Sequence, residues 1–234
     1  MRLLIKLSGE SLSGTNREGD RQFDEPTLGS IVSEIKKLQV LGHQVALVIG
    51  GGNLFRGHEL TGKLAIERPT ADYIGMLGTV QNALVLRDYF ESKGVETRVS
   101  SAIAMPQICE GYMPRRALRH LEKGRVVIFA AGLGMPYFTT DSTAVQRALE
   151  MHADILIMAK NGVNGLYTAD PKTDKGAVFI KEVTCSAVLE KNLRVADQSA
   201  IALAKEHGLT MKVVGVSDIA RALEPTVGST ITPK

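Results

Sequence analysis

The chain has 234 residues, 44% of them hydrophobic and 23% charged, a balance typical of a soluble globular protein with a sizeable core. A net charge of +3 with no basic run gives no footprint for bulk nucleic-acid binding, and no apolar stretch reaches the ~18 residues of a membrane span. The two cysteines, Cys109 and Cys185, lie far apart without metal-ligand spacing and read as idle thiols of a reducing compartment.

Short apolar runs alternate with helical patterns along the whole length. Arg2–Leu7 reads as a strand that begins at once, leaving no room for a signal peptide, so a cytoplasmic location is expected. Leu28, Ile31, Val32, Ile35 and Leu38 recur at helical spacing, and Gly42 stops that helix. Val45–Ile49 is a second strand, apolar on both faces as buried parallel strands are. Thr70–Lys93 reads as a long helix capped by Thr70, with Met76, Leu77, Val80 and Leu84 on one side. Strands at Glu96–Ser100, Val126–Ala130 and Ile155–Met158 follow, with helices at Pro114–Lys123 and Thr143–His152 between them. After the polar segment Asn161–Lys181 come helices near Ser186–Lys191 and Gln198–His207, and strands at Met211–Val216 and Thr230–Thr232.

This alternation, with no linker and no repeat, predicts one domain over residues 1–234. Its fold class is α/β, a three-layer α/β/α sandwich around a mostly parallel central sheet. Ligands of such folds bind beyond the carboxyl ends of the strands. The residues just after each strand therefore carry the functional information.

Lys6-Leu7-Ser8-Gly9 ends the first strand. An ammonium inside an apolar strand is costly to bury unpaired. It is either a sheet-edge lysine whose stem snorkels or a cation set against phosphate. Gly50-Gly51-Gly52 follows the second strand, with Arg56 close behind. The triplet is either a tight turn or a set of amides that cradles an anion, to which Arg56 adds a two-pronged donor. Gly57–Lys63 nearly spells a Walker A loop. It lacks the following Ser/Thr, since Leu64 stands there, and no strand immediately precedes it, so it reads as coincidence.

Asp72 either complements the dipole of the long helix or accepts ribose hydroxyls. Asp141, in the hydroxyl-rich start of a later helix, either caps that helix or faces Lys6 and orients it. Tyr167 offers a ring to a base, and Asp170 an acceptor. Lysine, arginine, glycine amides and one organising aspartate suit phosphoryl transfer, which needs positioning and cations more than covalent groups. No Ser-His-Asp order and no metal-ligand cluster competes.

KLSGE at 6–10, GGGNLFRG at 50–57, AD at 71–72 with GML at 75–77, AAGLGMPYFTTDSTA at 130–144 and GLYTADP at 165–171 occur in order over nearly the whole chain. In these motifs the sequence resembles the bacterial UMP kinases of the amino acid kinase family. The resemblance implies Mg²⁺-dependent transfer from ATP to UMP, giving ADP and UDP, in pyrimidine nucleotide biosynthesis. It implies that Lys6 stabilises the transferring group, that Asp141 organises the donors around it, and that Arg56 lies near the phosphates. Lys6, Leu7, Ser8, Gly9, Gly52, Arg56, Asn161, Tyr167 and Asp170 would hold ATP. Gly51, Asp72, Leu133, Gly134, Met135, Pro136, Tyr137, Phe138, Thr139 and Thr140 would hold UMP. Asp197 would lie near the metal, and the family's homohexamer would use the long helix. No nucleic-acid or membrane partner is implied.

Three departures stand out. Thr15–Asp24 replaces the short segment associated with GTP regulation, Asn164 stands where an aspartate is usual, and Ala196 precedes Asp197 where a methionine is usual. Two other readings remain open from the residues: a relative of the same family acting on a carboxylate or carbamate, and a nucleotide-binding protein of the same fold without catalysis.

Overall fold

The structure, a computed structural model, describes residues 1–13, 23–55 and 65–234. The near-Walker stretch, Arg56 and most of the Thr15–Asp24 loop lie outside the described residues.

The strands are β1 (Arg2–Leu7), β2 (Gln44–Ile49), β3 (Thr97–Ser101), β4 (Glu110–Gly111), β5 (Val126–Ala130) and β6 (Ile155–Lys160), then β7 (Leu166–Tyr167), β8 (Phe179–Ile180), β9 (Glu182–Thr184), β10 (Met211–Gly215) and β11 (Ser229–Thr232). The helices are α1 (Glu25–Val40), α2 (Arg68–Ser92), α3 (Pro114–Glu122), α4 (Thr140–Glu150), α5 (Cys185–Glu190) and α6 (Gln198–Glu206). Nine strands form one sheet in the order β4-β3-β5-β2-β1-β6-β10-β11-β9. Among the described residues, only the β10–β11 pairing in it is antiparallel. β7 and β8 make a separate antiparallel pair inside the polar segment that follows β6.

The strands are apolar on both faces because both faces are covered. Leu3, Ile5, Leu47 and Ile128 pack with Ile31, Ile35, Val80, Leu86 and Phe90 of α1 and α2. On the opposite face, Leu4, Val48, Phe129 and Met158 pack with Val145 and Ala148 of α4, Val188 of α5 and Ile201 of α6. The expected three-layer α/β/α architecture is present. β1 is the middle strand, so Lys6, aligned with Val48 and Met158, belongs to the sheet centre and not to an edge.

Several boundaries differ from the sequence reading, for local reasons. α2 starts at Arg68 with Glu67 at its N-cap and Pro69 in its first turn, so Thr70 is inside the helix and not its cap. α4 starts at Thr140, three residues earlier than its apolar pattern, because the Thr139 side chain accepts from the amides of Asp141 and Ser142. Asp141 is therefore in the first turn and does not cap the helix. Leu77 does not join Met76 and Val80 in the core but is 45% exposed. Two-residue strands such as β4 carry no periodicity of their own and were not legible. No described helix is long and apolar enough to cross a membrane.

Candidate active site

The carboxyl ends of β1, β2, β5 and β6 lie side by side, and the glycine- and hydroxyl-rich loops singled out in the sequence leave from them, whereas Asp197 comes from the connection between α5 and α6. Two cavities open at those carboxyl ends. The first, about 260 Å³, is walled by Gly51 and Gly52 after β2, by Asp72, Gly75, Met76 and Thr79 on α2, and by Gly132 and Phe138–Thr140 around the start of α4. The second, about 660 Å³, is lined by Lys6 and Ser8 after β1, Lys160–Asn161 after β6, and the segment from Gly165 to Asp174.

The wall between them is backbone packed on backbone. A methyl group on Gly9 would lie 2.5 Å from Asn53 Oδ1 and 2.7 Å from Gly52 N, closer than any real contact. Gly51 is tied as tightly to α2, where a methyl group would meet the Gly75 carbonyl at 2.6 Å. Gly50 and Gly51 serve close approach more than turning, since neither has a positive φ, whereas a methyl group on Gly52 would meet open space. A buried amide pair fastens the loop further. Asn82 Nδ2 donates to Asn53 Oδ1 at 2.7 Å and to the Gly50 carbonyl at 2.8 Å, and Asn53 Nδ2 donates back to Asn82 Oδ1 at 3.1 Å.

Lys6 Nζ lies 3.0 Å from Asp141 Oδ1, both side chains more than four-fifths buried. This ion pair offsets the cost of placing an ammonium at the sheet centre. Apart from it, the buried Asp141 Oδ1 accepts no hydrogen bond from the described residues. Lys6 lines the second cavity, and Asp141, which lines neither, follows Thr140, which lines the first. Lys160 is a second lysine at the same end, its Nζ donating to the Val195 carbonyl at 2.6 Å. Burial lowers its pKa, the charge of Lys6 lowers it further, and Asp141 partly opposes them.

Asp72 is not in the first turn of α2, so the helix dipole does not account for it. Arg68 Nε reaches its two oxygens at 2.8 and 2.9 Å, and Tyr137 N–H donates to Oδ2 at 2.8 Å. Asp72 thereby fastens the loop before α4 to α2. Asp197 caps α6, accepting from Ala200 N at 2.7 Å, and takes further hydrogen bonds from Thr139, Ser142 and Ser199. Burial alone raises its pKa, but these donors outweigh burial and hold it below the ordinary value. Among the described residues no three His, Cys, Asp or Glu side chains gather as a metal site.

The first cavity collects Gly51, Asp72, Phe138, Thr139 and Thr140 of the residues expected on the acceptor side, whereas Leu133–Tyr137 do not line it. The second collects Lys6, Ser8, Asn161, Tyr167 and Asp170 of those expected on the donor side. Leu7 points into the core and Gly52 faces the first cavity. Asn164 lines neither cavity. Its Oδ1 accepts from Gly215 N and its Nδ2 donates to Asp218, both at 3.0 Å, a double role that an ionised aspartate cannot fill. Sequence reading missed Arg68, Thr79 and Lys160, which line the cavities. Only the i, i+4 spacing of Arg68 and Asp72 could have signalled one of them.

The model of the amino acid kinase family matches residues 1–215. A uridylate kinase of Tropheryma whipplei is 53% identical, with 95% of this chain and 94% of that protein covered. A uridylate kinase of Paenarthrobacter aurescens is 50% identical, with 99% and 94% covered. The crystal structure of UMP kinase from Bacillus anthracis superposes with a TM-score of 0.92 at 40% identity, covering 100% of this chain and 96% of that one.

Proposed function

Because the chain belongs to the amino acid kinase family, we propose that it is a UMP kinase, transferring the γ-phosphoryl group of ATP to UMP to give UDP and ADP. The observation that carries this is the buried Lys6–Asp141 ion pair, with Lys6 lining one cavity and Thr140, beside Asp141 in the chain, lining the other. The larger cavity is the ATP site and the smaller the UMP site.

In the reaction an oxygen of the UMP phosphate forms the new bond to the γ-phosphorus as the bond to the ADP oxygen breaks. That phosphate is largely ionised at neutral pH, so no general base is needed. Charge spreads over the equatorial oxygens of the transferring group, and a preorganised ammonium there lowers the barrier. Lys6 supplies it, and Asp141 holds its amine in place. The amides of the glycine loop face the phosphates between the nucleotides, with Arg56 beside them as the motif resemblance implies. Asp72 takes the ribose hydroxyls of UMP, and Tyr167 and Asp170 bound the adenosine side.

Mg²⁺ arrives with ATP. The ion would be held by the nucleotide phosphates, with Asp197 as the nearby carboxylate. The ion neutralises phosphate charge. We further place the protein in a homohexamer that uses the outward face of α2, where Tyr73 and Leu77 are exposed.

The test is ADP release from ATP in the presence of UMP, CMP, dUMP or AMP. Turnover should be fastest with UMP. ADP release that depends on glutamate or carbamate, with none on UMP, would overturn the assignment.

A further inference from the structure

The turn after β5 holds strained backbone beside the smaller cavity. Ala131 has φ 59° and Gly132 φ 56°. Glycine takes the left-handed region freely, but the alanine Cβ crowds the following carbonyl there. A left-handed alanine persists only where the surroundings over-determine it.

Two side chains grip this turn, one from each helix layer. On the α2 side, Thr79 Oγ1 accepts from Ala131 N–H at 2.7 Å and donates to the Met76 carbonyl at 2.7 Å. From α4 on the opposite face, Arg147 Nη2 donates to the Gly132 carbonyl at 3.2 Å. Arg147 is only 5% exposed. It is itself fixed, ion-paired to Glu150 at 2.6 Å and stacked 3.7 Å over the Tyr112 ring. The Tyr112 hydroxyl bonds Glu150 in turn. Burial first, and then the bond to Glu150, push the Tyr112 pKa up, so it stays a donor across ordinary pH. The turn borders the cavity, which Thr79, Gly132 and Thr143 line together.

We propose that Thr79 and Arg147 are positioning residues for the acceptor nucleotide, clamping the Ala131–Gly132 turn from opposite faces of the sheet so that the smaller cavity keeps the shape that takes UMP. The proposal rests on the reading of that cavity as the UMP site. It predicts a defect confined to the acceptor, because the clamp touches none of the described residues that line the ATP cavity.

Thr79→Val keeps the side-chain volume and leaves the Ala131 amide buried without an acceptor. Thr79→Ser restores the hydroxyl. Steady-state kinetics and calorimetric UMP binding on the assembled protein, with a melting curve to confirm folding, provide the test. Thr79→Val should raise the UMP KM and Kd by about tenfold or more and leave the ATP KM within about twofold. Thr79→Ser should stay within about threefold of wild type for UMP. Arg147→Lys keeps the charge but not the forked donor, and should show the same UMP-selective loss. Adding Ala131→Gly to Thr79→Val removes the conformational penalty and should recover part of the UMP affinity. Lack of that recovery assigns the loss to core packing and overturns the clamp. So does an equal rise of both KM values, or a UMP KM within about twofold of wild type. A wild-type protein that binds no UMP overturns the acceptor reading and the clamp together, whereas normal wild-type binding with an unaffected Thr79→Val variant overturns the clamp alone.

Discussion

Lys6 has its cost of burial met by one partner, Asp141 at 3.0 Å, and its amine is thereby aimed before any nucleotide arrives. Lys6→Ala and Asp141→Asn should each lower kcat by about 10²–10³ while shifting the UMP and ATP KM values far less. Steady-state kinetics checks this, and an unchanged kcat in either variant removes that residue from the chemistry. Asp197 makes a separate, pH-dependent prediction. Its native pKa lies below the ordinary 3.8, so below that value the unfolded chain binds more protons than the native one. Its stabilisation is complete above the unfolded pKa and is lost as pH falls through the lower native value. Urea unfolding should therefore show a shallower decline for Asp197→Asn than for wild type between about pH 5 and about pH 2. Parallel declines would mean that its bonds do not favour the ionised carboxylate over the protonated one. Residues with an odd chemical type for their place, such as a lysine in an apolar strand, were legible in the sequence. Thr79 and Arg147 were not, because a threonine and an arginine within helices carry no signal until the turn that they grip is seen.

At the scale of the element, α2 does more than cover the sheet. One face is core, and another presents Asp72, Gly75, Met76 and Thr79 to the smaller cavity. Asn82 and Gly75 fix the glycine loop after β2 against it. Asn82→Ala strands the buried Asn53 amide and should cost about 1–3 kcal/mol in denaturant unfolding. Gly51→Ala forces the loop off the helix and should cost about 1–3 kcal/mol by overpacking, together with most of the UMP affinity. A wild-type unfolding midpoint for either would show that the loop tolerates a new seat. The long elements were readable because β1, β2, β5 and α1 carry sustained apolar patterns. Their ends were less so, since the start of α4 is set by the Thr139 hydroxyl and that of α2 by Pro69, both ahead of the apolar periodicity. β4 and β9 exist through their pairing with β3 and β11, which no local pattern announces.

The outward face of α2 connects the site to the whole molecule. Leu77 was read on one side of the helix with Met76 and Val80, yet it and Tyr73 are each more than two-fifths exposed, one helical turn apart. Single exposed apolar side chains need no explanation. The proposed assembly would seat a second copy of the chain on this pair, and so brace the wall that the same helix gives the smaller cavity. In light scattering the wild-type protein should measure as six 25.2 kDa chains. Leu77→Glu places a charge in the contact and should give smaller particles whose melting temperature rises with protein concentration. It should also raise the UMP KM more than the ATP KM, because Asp72, Gly75 and Thr79 move with the helix while Lys6, Asn161 and Tyr167 are held by the sheet and the far loop. A wild-type monomer at micromolar concentration would remove the assembly. A Leu77→Glu variant that stays hexameric would move the contact to another face. Dissociation with both KM values unchanged would separate assembly from the shape of the acceptor site.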